Sequence, residues 1–299
     1  MQHTTQRPAE ASGTLTIGGD LKVYRLGFGS MRITGEGIWG PPANKQEAIA
    51  VLKRALELGI NLIDTADSYG PEVSESLIAE ALYPYPQGLV IATKGGLTRT
   101  GPNQWPANGS PKHLREALEG SLRRLRLERI DIYQFHRPDP KVPFEDSVGE
   151  LAKMRAEGKI HHVGLSNVTI EELARAQKIV PIVTVQNHYN LATRKSEHMT
   201  MQQSEEMIDI CQQQGIGFIP WSPLTTEGID RPDSPLDAIA KQQQAQPGQI
   251  ALAWLLHRSS TMLPIPGTSS VKHLEANAMG ATIKLTQEEF DAIDQSSRQ

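Results

Sequence analysis

One cysteine, Cys211, occurs in the whole chain. That excludes an internal disulfide and fits a reducing compartment, so a cytoplasmic location is expected. Cys211 falls in a helix-like stretch, Met207-Ile-Asp-Ile-Cys211, with no cysteine-centred motif around it. It reads as a small buried apolar residue. No apolar run approaches bilayer length, so no membrane partner is expected. Residues 1–13 are polar and lack the apolar segment of a signal peptide; they are expected to form a disordered tail. Neither sign of charge dominates, with 30 Lys and Arg against 34 Asp and Glu and a net charge of −4. A nucleic-acid partner is therefore not expected. There is no phosphate loop ending in Gly-Lys-Ser/Thr. Gly27-Phe-Gly29 opens like a dinucleotide fingerprint, but Arg32 stands where its third glycine belongs. His161-His162 is the one adjacent histidine pair, and its neighbours lack metal-ligand spacing. Adjacent residues of a strand face opposite ways, so no metal is expected there, and a metal-dependent hydrolase is disfavoured.

What the chain does have is a repeating alternation. Its 299 residues, 38% of them hydrophobic, can bury a sizeable core. Gln46 to Leu58 carries apolar residues at helical spacing, Gly59 stops the helix, and Ile60 to Ile63 follows as a buried strand. Similar units recur. Helices are predicted at Val73–Leu82, Pro111–Leu125, Phe144–Ala156, Glu171–Ile179, Ser204–Gln213, Pro247–Arg258 and Val271–Met279. Strands are predicted at Leu26–Gly29, Leu89–Thr93, Ile130–Phe135, His162–Leu165, Ile182–Val185, Ile216–Ile219 and Met262–Ile265. Eight strand-helix units without an intervening linker predict an α/β protein, a (β/α)8 TIM barrel forming one domain over residues 14–299. Thr14–Ile17 and Leu21–Tyr24, joined by Gly18-Gly-Asp20, predict an N-terminal β-hairpin. Thr286 and Glu289 form a capping box that predicts an extra C-terminal helix.

Polar residues stand just after the predicted strands: Asp64, Lys94, His136, Ser166-Asn167, Gln186, Trp221-Ser222 and Gly267-Thr268. Any one alone reads as a helix cap. A barrel collects all of them at one face, where its active site lies. Tyr69 follows Asp64 closely. A phenol of pKa about 10 is a poor acid at neutral pH unless its anion is stabilised. Lys94 could supply the cation, Asp64 could hold Lys94 charged, and His136 could orient a carbonyl or relay a proton. Trp39 and Trp105, in the long loops at 37–42 and 97–108, are candidates for a partly aromatic substrate pocket or for loop packing. Arg137 beside His136 could meet an anionic substrate group or stand in solvent.

Seven motifs, in this order and spacing, resemble the aldo-keto reductase family. They are Asp64-Thr-Ala-x-x-Tyr-Gly70, Thr93-Lys94, Gln134-x-His136, Gly164-Leu-Ser-Asn167, Gln186-Asn187, Trp221-Ser-Pro-Leu224 and Ile265-Pro-Gly-Thr268. The resemblance spans Leu26 to about Met279 and is nearest to bacterial reductases acting on pyridoxal and similar aldehydes. It implies reduction of a small aldehyde or ketone, with Asp64, Tyr69, Lys94 and His136 as catalytic residues and Tyr69 as general acid. It also implies a nicotinamide cofactor. Ser166, Asn167 and Gln186 would bind its carboxamide, Trp221 would stack on its ring, and Ser222 and Leu224 would line the pyrophosphate path. Thr268, Ser269, Lys272 and His273 would meet the adenosine 2′-phosphate, which favours NADPH, and Gly267 and Asn277 would be further cofactor contacts. His273 stands where many relatives carry Arg, and Ala276 where Glu is frequent, so NADH is not excluded. The alternative is a cofactor-binding regulatory subunit with little turnover.

Overall fold

A computed structural model describes residues 7–195, 198–225 and 231–298. The part of the expected tail at 1–6 lies outside the described residues. The hairpin pairs β1 (Thr14–Ile17) with β2 (Leu21–Tyr24) antiparallel. Seven strands then form one sheet: β3 (Phe28–Gly29), β4 (Leu62–Asp64), β5 (Val90–Gly95), β6 (Ile130–Phe135), β7 (Ile160–Ser166), β8 (Ile182–His188) and β9 (Gly217–Trp221). They are parallel and lie in chain order. Helices cover the outer face: α1 (Lys45–Glu57), α2 (Val73–Leu82), α3 (Pro111–Leu125), α4 (Phe144–Ala156), α5 (Ile170–Gln177) and α6 (Met201–Gln214) precede α7 (Pro235–Gln242), α8 (Pro247–Arg258), α9 (Val271–Met279) and α10 (Gln287–Ser296).

Local signals account for most helix ends. The Asn44 side chain accepts the Glu47 N–H at the start of α1, and Gly59, at φ 91°, follows its end. Capping boxes open α5 (Thr169, Glu172), α6 (Thr200, Gln203) and α10 (Thr286, Glu289). Helix α7 was not predicted, yet Ser234 caps it and Pro235 is its first residue, the same signature as Ser110-Pro111 at α3.

The eighth strand is a correction. Met262 to Ile265 forms no regular strand, because Pro264 and Pro266 cannot donate to a ladder. The segment still links both edges of the sheet. Leu263 N–H donates to Phe218 O at 2.8 Å, and Gly27 N–H donates to Pro264 O at 3.0 Å. The arrangement is barrel-like, with one position held by an isolated parallel bridge between Met262 and Phe218 on one side and the Gly27 bond on the other. The first parallel strand is also shorter than expected, Phe28–Gly29 in place of Leu26–Gly29.

Inside the curled sheet, Leu62, Val90, Ala92, Ile132, Ile219 and Leu263 pack against Ile17 and Val23 of the hairpin. The hairpin thus plugs the end of the sheet where the strands begin. Strand periodicity then matters for the site. Asp64, Lys94 and Gln134 each lie two residues beyond an inward residue, Leu62, Ala92 and Ile132, so they point to the same interior near the strands' carboxyl ends.

The expected tail needs correcting over residues 8–12. Pro8–Ser12 is a 3-10 helix with Ala9 fully buried. Ala9 N–H donates to Leu58 O at 3.1 Å, and Ser12 Oγ accepts from Leu26 N–H at 3.1 Å. Arg25 fastens this helix to the end of α8: its guanidinium donates to Ser12 O, Leu256 O and Ser259 O, each at 2.9 Å. Arg25→Ala removes three charge-assisted bonds; Ser259 O keeps the Met262 N–H at 3.3 Å, while Ser12 O and Leu256 O lose the guanidinium. The substitution should destabilise the fold by about 2 kcal/mol or more, measured by urea unfolding. A midpoint within error of wild type would show that the clamp contributes nothing.

Candidate active site

The loop after β4 is held tightly. Thr65 N–H donates to Ala92 O (2.8 Å) and Asp67 N–H to Lys94 O (3.2 Å), so the loop continues the strand pairing before it turns. Gly70, at φ 103°, makes the turn; a Cβ there would lie 2.4 Å from Val73 Cβ. The turn presents the Tyr69 hydroxyl to Lys94, which rises from β5. Lys94 Nζ, fully buried, donates to Asp64 Oδ1 at 2.5 Å, Thr65 O at 2.8 Å and Tyr69 Oη at 3.2 Å. Asp64 Oδ2 accepts from Gln134 Nε2 (2.8 Å) and Gln186 Nε2 (2.9 Å). The carboxylate therefore has polar partners on both oxygens. The His136 ring meets Tyr69 edge-on at 5.9 Å, with its Nδ1 3.4 Å from Ser68 Oγ. The four residues expected to act together are brought together.

Electrostatics separate their roles. Burial pushes the Tyr69 phenol above its ordinary value, and the Lys94 ammonium only partly offsets this. The hydroxyl is thus less acidic than the sequence alone suggested, because desolvation outweighs the neighbouring cation. Burial works against the Lys94 ammonium, yet Asp64 and Tyr69 hold its pKa above the ordinary lysine value. Burial, then Lys94, Arg137 and Arg99, push His136 well below an ordinary histidine, so its imidazole is neutral at neutral pH. Asp67, in the same loop, adds a smaller upward push on Tyr69. It is buried, its Oδ1 has no hydrogen-bond partner, and burial followed by Glu75 pushes its carboxyl well up.

A cavity of about 580 Å3 opens beside these groups. Asp64, Tyr69 and His136 border it, as do Ser166, Asn167, Gln186, Trp221, Ser222, Leu224 and Gly267. Asn167 ties the cavity wall together: its Nδ2 donates to His136 O and Ser166 Oγ, each at 3.0 Å, while its Oδ1 accepts from Trp221 Nε1 at 3.0 Å. His188 stacks on Trp221 at 4.1 Å. Gly267 leaves no room for a side chain, since a Cβ would stand 2.6 Å from Gly29 O.

Other expected residues stand farther off. Thr268, Ser269, Lys272, His273 and Asn277 do not border this cavity; Lys272 and His273 are exposed on the first turn of α9. The Val271 N–H at that helix start donates to Glu47 Oε1 at 3.0 Å, so this one backbone donor is already engaged. Trp105 borders the cavity, edge-on to Tyr69 at 6.3 Å. Trp39 does not, and is 37% exposed. Sequence reading missed Arg99, whose guanidinium lies 3.6 Å above Trp105 and donates to Ile38 O and Ser68 O at 2.7 Å each. A lone loop arginine carries no local signal of such a clamp.

Residues 25–298 match the model of the Aldo/keto reductase family, and the chain belongs to that family. It is 51% identical over 290 residues to an uncharacterized oxidoreductase of Schizosaccharomyces pombe, covering 97% of this chain and 92% of the relative. It is 41% identical over 298 residues to pyridoxine 4-dehydrogenase of Escherichia coli K12, covering 97% and 100%. A crystal structure of an aldo/keto reductase from Klebsiella pneumoniae in complex with NADP and acetate superposes with a TM-score of 0.76 at 26% identity, covering 94% of each chain. The protein is an oxidoreductase of this family. Each of these relatives is named for such an activity, which gives the regulatory-subunit alternative no support.

Two measurements follow from the charge states. The His136 ring should remain neutral from pH 8 down past 6.5, read from its ring-nitrogen NMR shifts; protonation near 6.5 would contradict the burial argument. Asp67 keeps a proton in the folded chain that the unfolded chain releases above its ordinary value of 3.8. Its contribution is fully present below that pH and declines as pH rises toward the raised folded value. Asp67→Asn, which cannot ionise, should therefore raise Tm at pH 7.5 by more than at pH 4. Equal shifts at the two pH values would rule this out.

Proposed function

We propose that this chain reduces a small aldehyde or ketone to the alcohol with NADPH, and that Tyr69 supplies the proton. The single observation that carries the reading is the buried Lys94 ammonium 3.2 Å from a Tyr69 hydroxyl that borders a cavity. The K. pneumoniae neighbour, solved with NADP, supports the choice of cofactor.

The residues fit a nicotinamide. Trp221, with His188 on one face, borders the cavity, and the amides of Asn167 and Gln186 and the hydroxyl of Ser166 stand beside it. Ser222, Leu224 and Gly267 continue the same wall and would hold the pyrophosphate. Lys272 and His273, at the exposed start of α9, would meet the adenosine phosphate. When bound, the reduced cofactor supplies a hydride to the carbonyl carbon.

The remaining chemistry belongs to the protein. The raised pKa of Tyr69 keeps the phenol protonated at neutral pH, the form a donor needs. As negative charge grows on the carbonyl oxygen, Tyr69 gives up its proton, and Lys94 stabilises the phenolate left behind. Asp64, fixed by Gln134 and Gln186, keeps Lys94 charged and aimed. Neutral His136, with Nδ1 toward Ser68, leaves Nε2 as the atom to hold the carbonyl oxygen. Met31, Ile38 and Trp105 give the cavity an apolar, partly aromatic side. That side suits an aromatic aldehyde, in keeping with the relative named pyridoxine 4-dehydrogenase.

Tyr69→Phe and Lys94→Met should each lower kcat with pyridoxal or a comparable aldehyde by about 10^2- to 10^4-fold. NADPH affinity, read by fluorescence titration, should stay near wild type in Tyr69→Phe. Turnover surviving Tyr69→Phe would remove Tyr69 as the acid, and wild-type protein that binds NADPH but reduces no aldehyde or ketone would remove the reading itself.

A further inference from the structure

The opposite end of the sheet carries a second cluster that this chemistry does not use. Asp20 ends the hairpin turn between β1 and β2, and His161 and His162 are the second and third residues of β7. Ser166, at the other end of β7, borders the catalytic cavity. His161 Nε2 lies 2.6 Å from Asp20 Oδ2, and His162 Nε2 lies 2.7 Å from Asp20 Oδ1. The expectation that adjacent strand residues must diverge fails here. Their Cβ atoms do alternate, but the hairpin turn reaches over the strand's beginning, and both imidazoles bend to meet it. Their rings stand 4.2 Å apart, inclined by 54°.

We propose that Asp20, His161 and His162 bind one divalent transition-metal ion, Zn2+ by preference, which staples the hairpin plug to the foot of the sheet. All three donor atoms lie within 4.8 Å of one another. Two imidazole nitrogens and a carboxylate oxygen form a borderline donor set that suits Zn2+ better than Mg2+ or Ca2+, which prefer oxygen alone. The two imidazoles meet different oxygens of the same carboxylate; tetrahedral bonds of about 2.0–2.1 Å place neighbouring donors about 3.3 Å apart, so the carboxylate must draw back and turn one oxygen toward both rings to admit an ion. Asp20 can move that far, since its side chain is 49% exposed. The exposed side of Asp20 leaves the fourth position to water.

One further feature marks the place as shaped for this contact. Gly18, at φ 62°, lies against the His162 ring, where a Cβ would fall 2.3 Å from Cε1. Glycine lets the turn close over the imidazole without moving the ring.

The test uses the full chain stripped with chelator and then titrated with Zn2+ alone, read by calorimetry and by the melting temperature. One zinc per chain should bind, and Tm should rise with zinc concentration. His161→Gln and Asp20→Asn, both at partly exposed positions, should each weaken that binding at least about tenfold and abolish the zinc-dependent rise in Tm. Unliganded melting of the variants shows whether they fold. Aldehyde reduction by zinc-free wild type and His161→Gln should agree, because the site lies at the far end from the cavity. Zinc uptake unchanged in both variants, or no uptake and no Tm shift in wild type at micromolar zinc, overturns the proposal.

Discussion

The buried contact between Lys94 and Asp64 is the constraint on which the site depends. An ammonium and a carboxylate removed from water are each costly, and their attraction suffices only when the remaining donors and lone pairs are also met. Here they are met. Lys94 has Asp64, Thr65 O and Tyr69 as acceptors, and the second Asp64 oxygen takes two glutamine amides. Removing either charge would leave the other buried and alone, a change that costs about 3–5 kcal/mol. The pair therefore fixes the ends of β4, β5, β6 and β8 relative to one another. The fold pins the site, and the site in turn pins the strand ends.

The two ends of the sheet divide the work. At the foot, the hairpin plug, the Pro8–Ser12 helix and Arg25 close the structure with apolar packing and backbone hydrogen bonds. At the other end, loops take over. Arg99 joins the 37–39 segment to Ser68 and stacks on Trp105, so the wall of the cavity is braced by a residue that does not border it. Separation of this kind lets loops vary around a fixed buried ion pair.

Much of this could be read beforehand, and the reasons are specific. Asp64, Lys94 and His136 were legible because strand periodicity and helix-stop glycines mark where each strand ends, and chemistry-bearing residues stood there. The end of the sheet's ring was less legible, because two prolines reduce an apolar run to an isolated bridge on one side and one hydrogen bond on the other. Residues 8–12 were misread because their order comes from a distant arginine, which no local pattern encodes. Asp67 escaped notice for the same reason: its raised pKa depends on burial and on Glu75, both products of the fold. Trp39 and Trp105 looked equivalent in sequence, yet only the ring that meets Tyr69 reaches the cavity. The histidine pair shows how a period-two rule fails when a turn from elsewhere folds across the strand.

The upward shift of Tyr69 also bears on how the proposed chemistry would work. A nearby cation was expected to make the phenol acidic, but at rest burial dominates. A donor ionised at rest would have no proton to give. A donor that stays protonated, with a fixed ammonium beside its oxygen, loses little before reaction and gains most when the phenolate forms. The ammonium cannot turn away, because Asp64 and the Thr65 carbonyl hold two of its three donors. Its interaction with Tyr69 is thus weak with the phenol and strong with the phenolate, which in the proposed reaction would place the stabilisation at the transition state rather than the ground state.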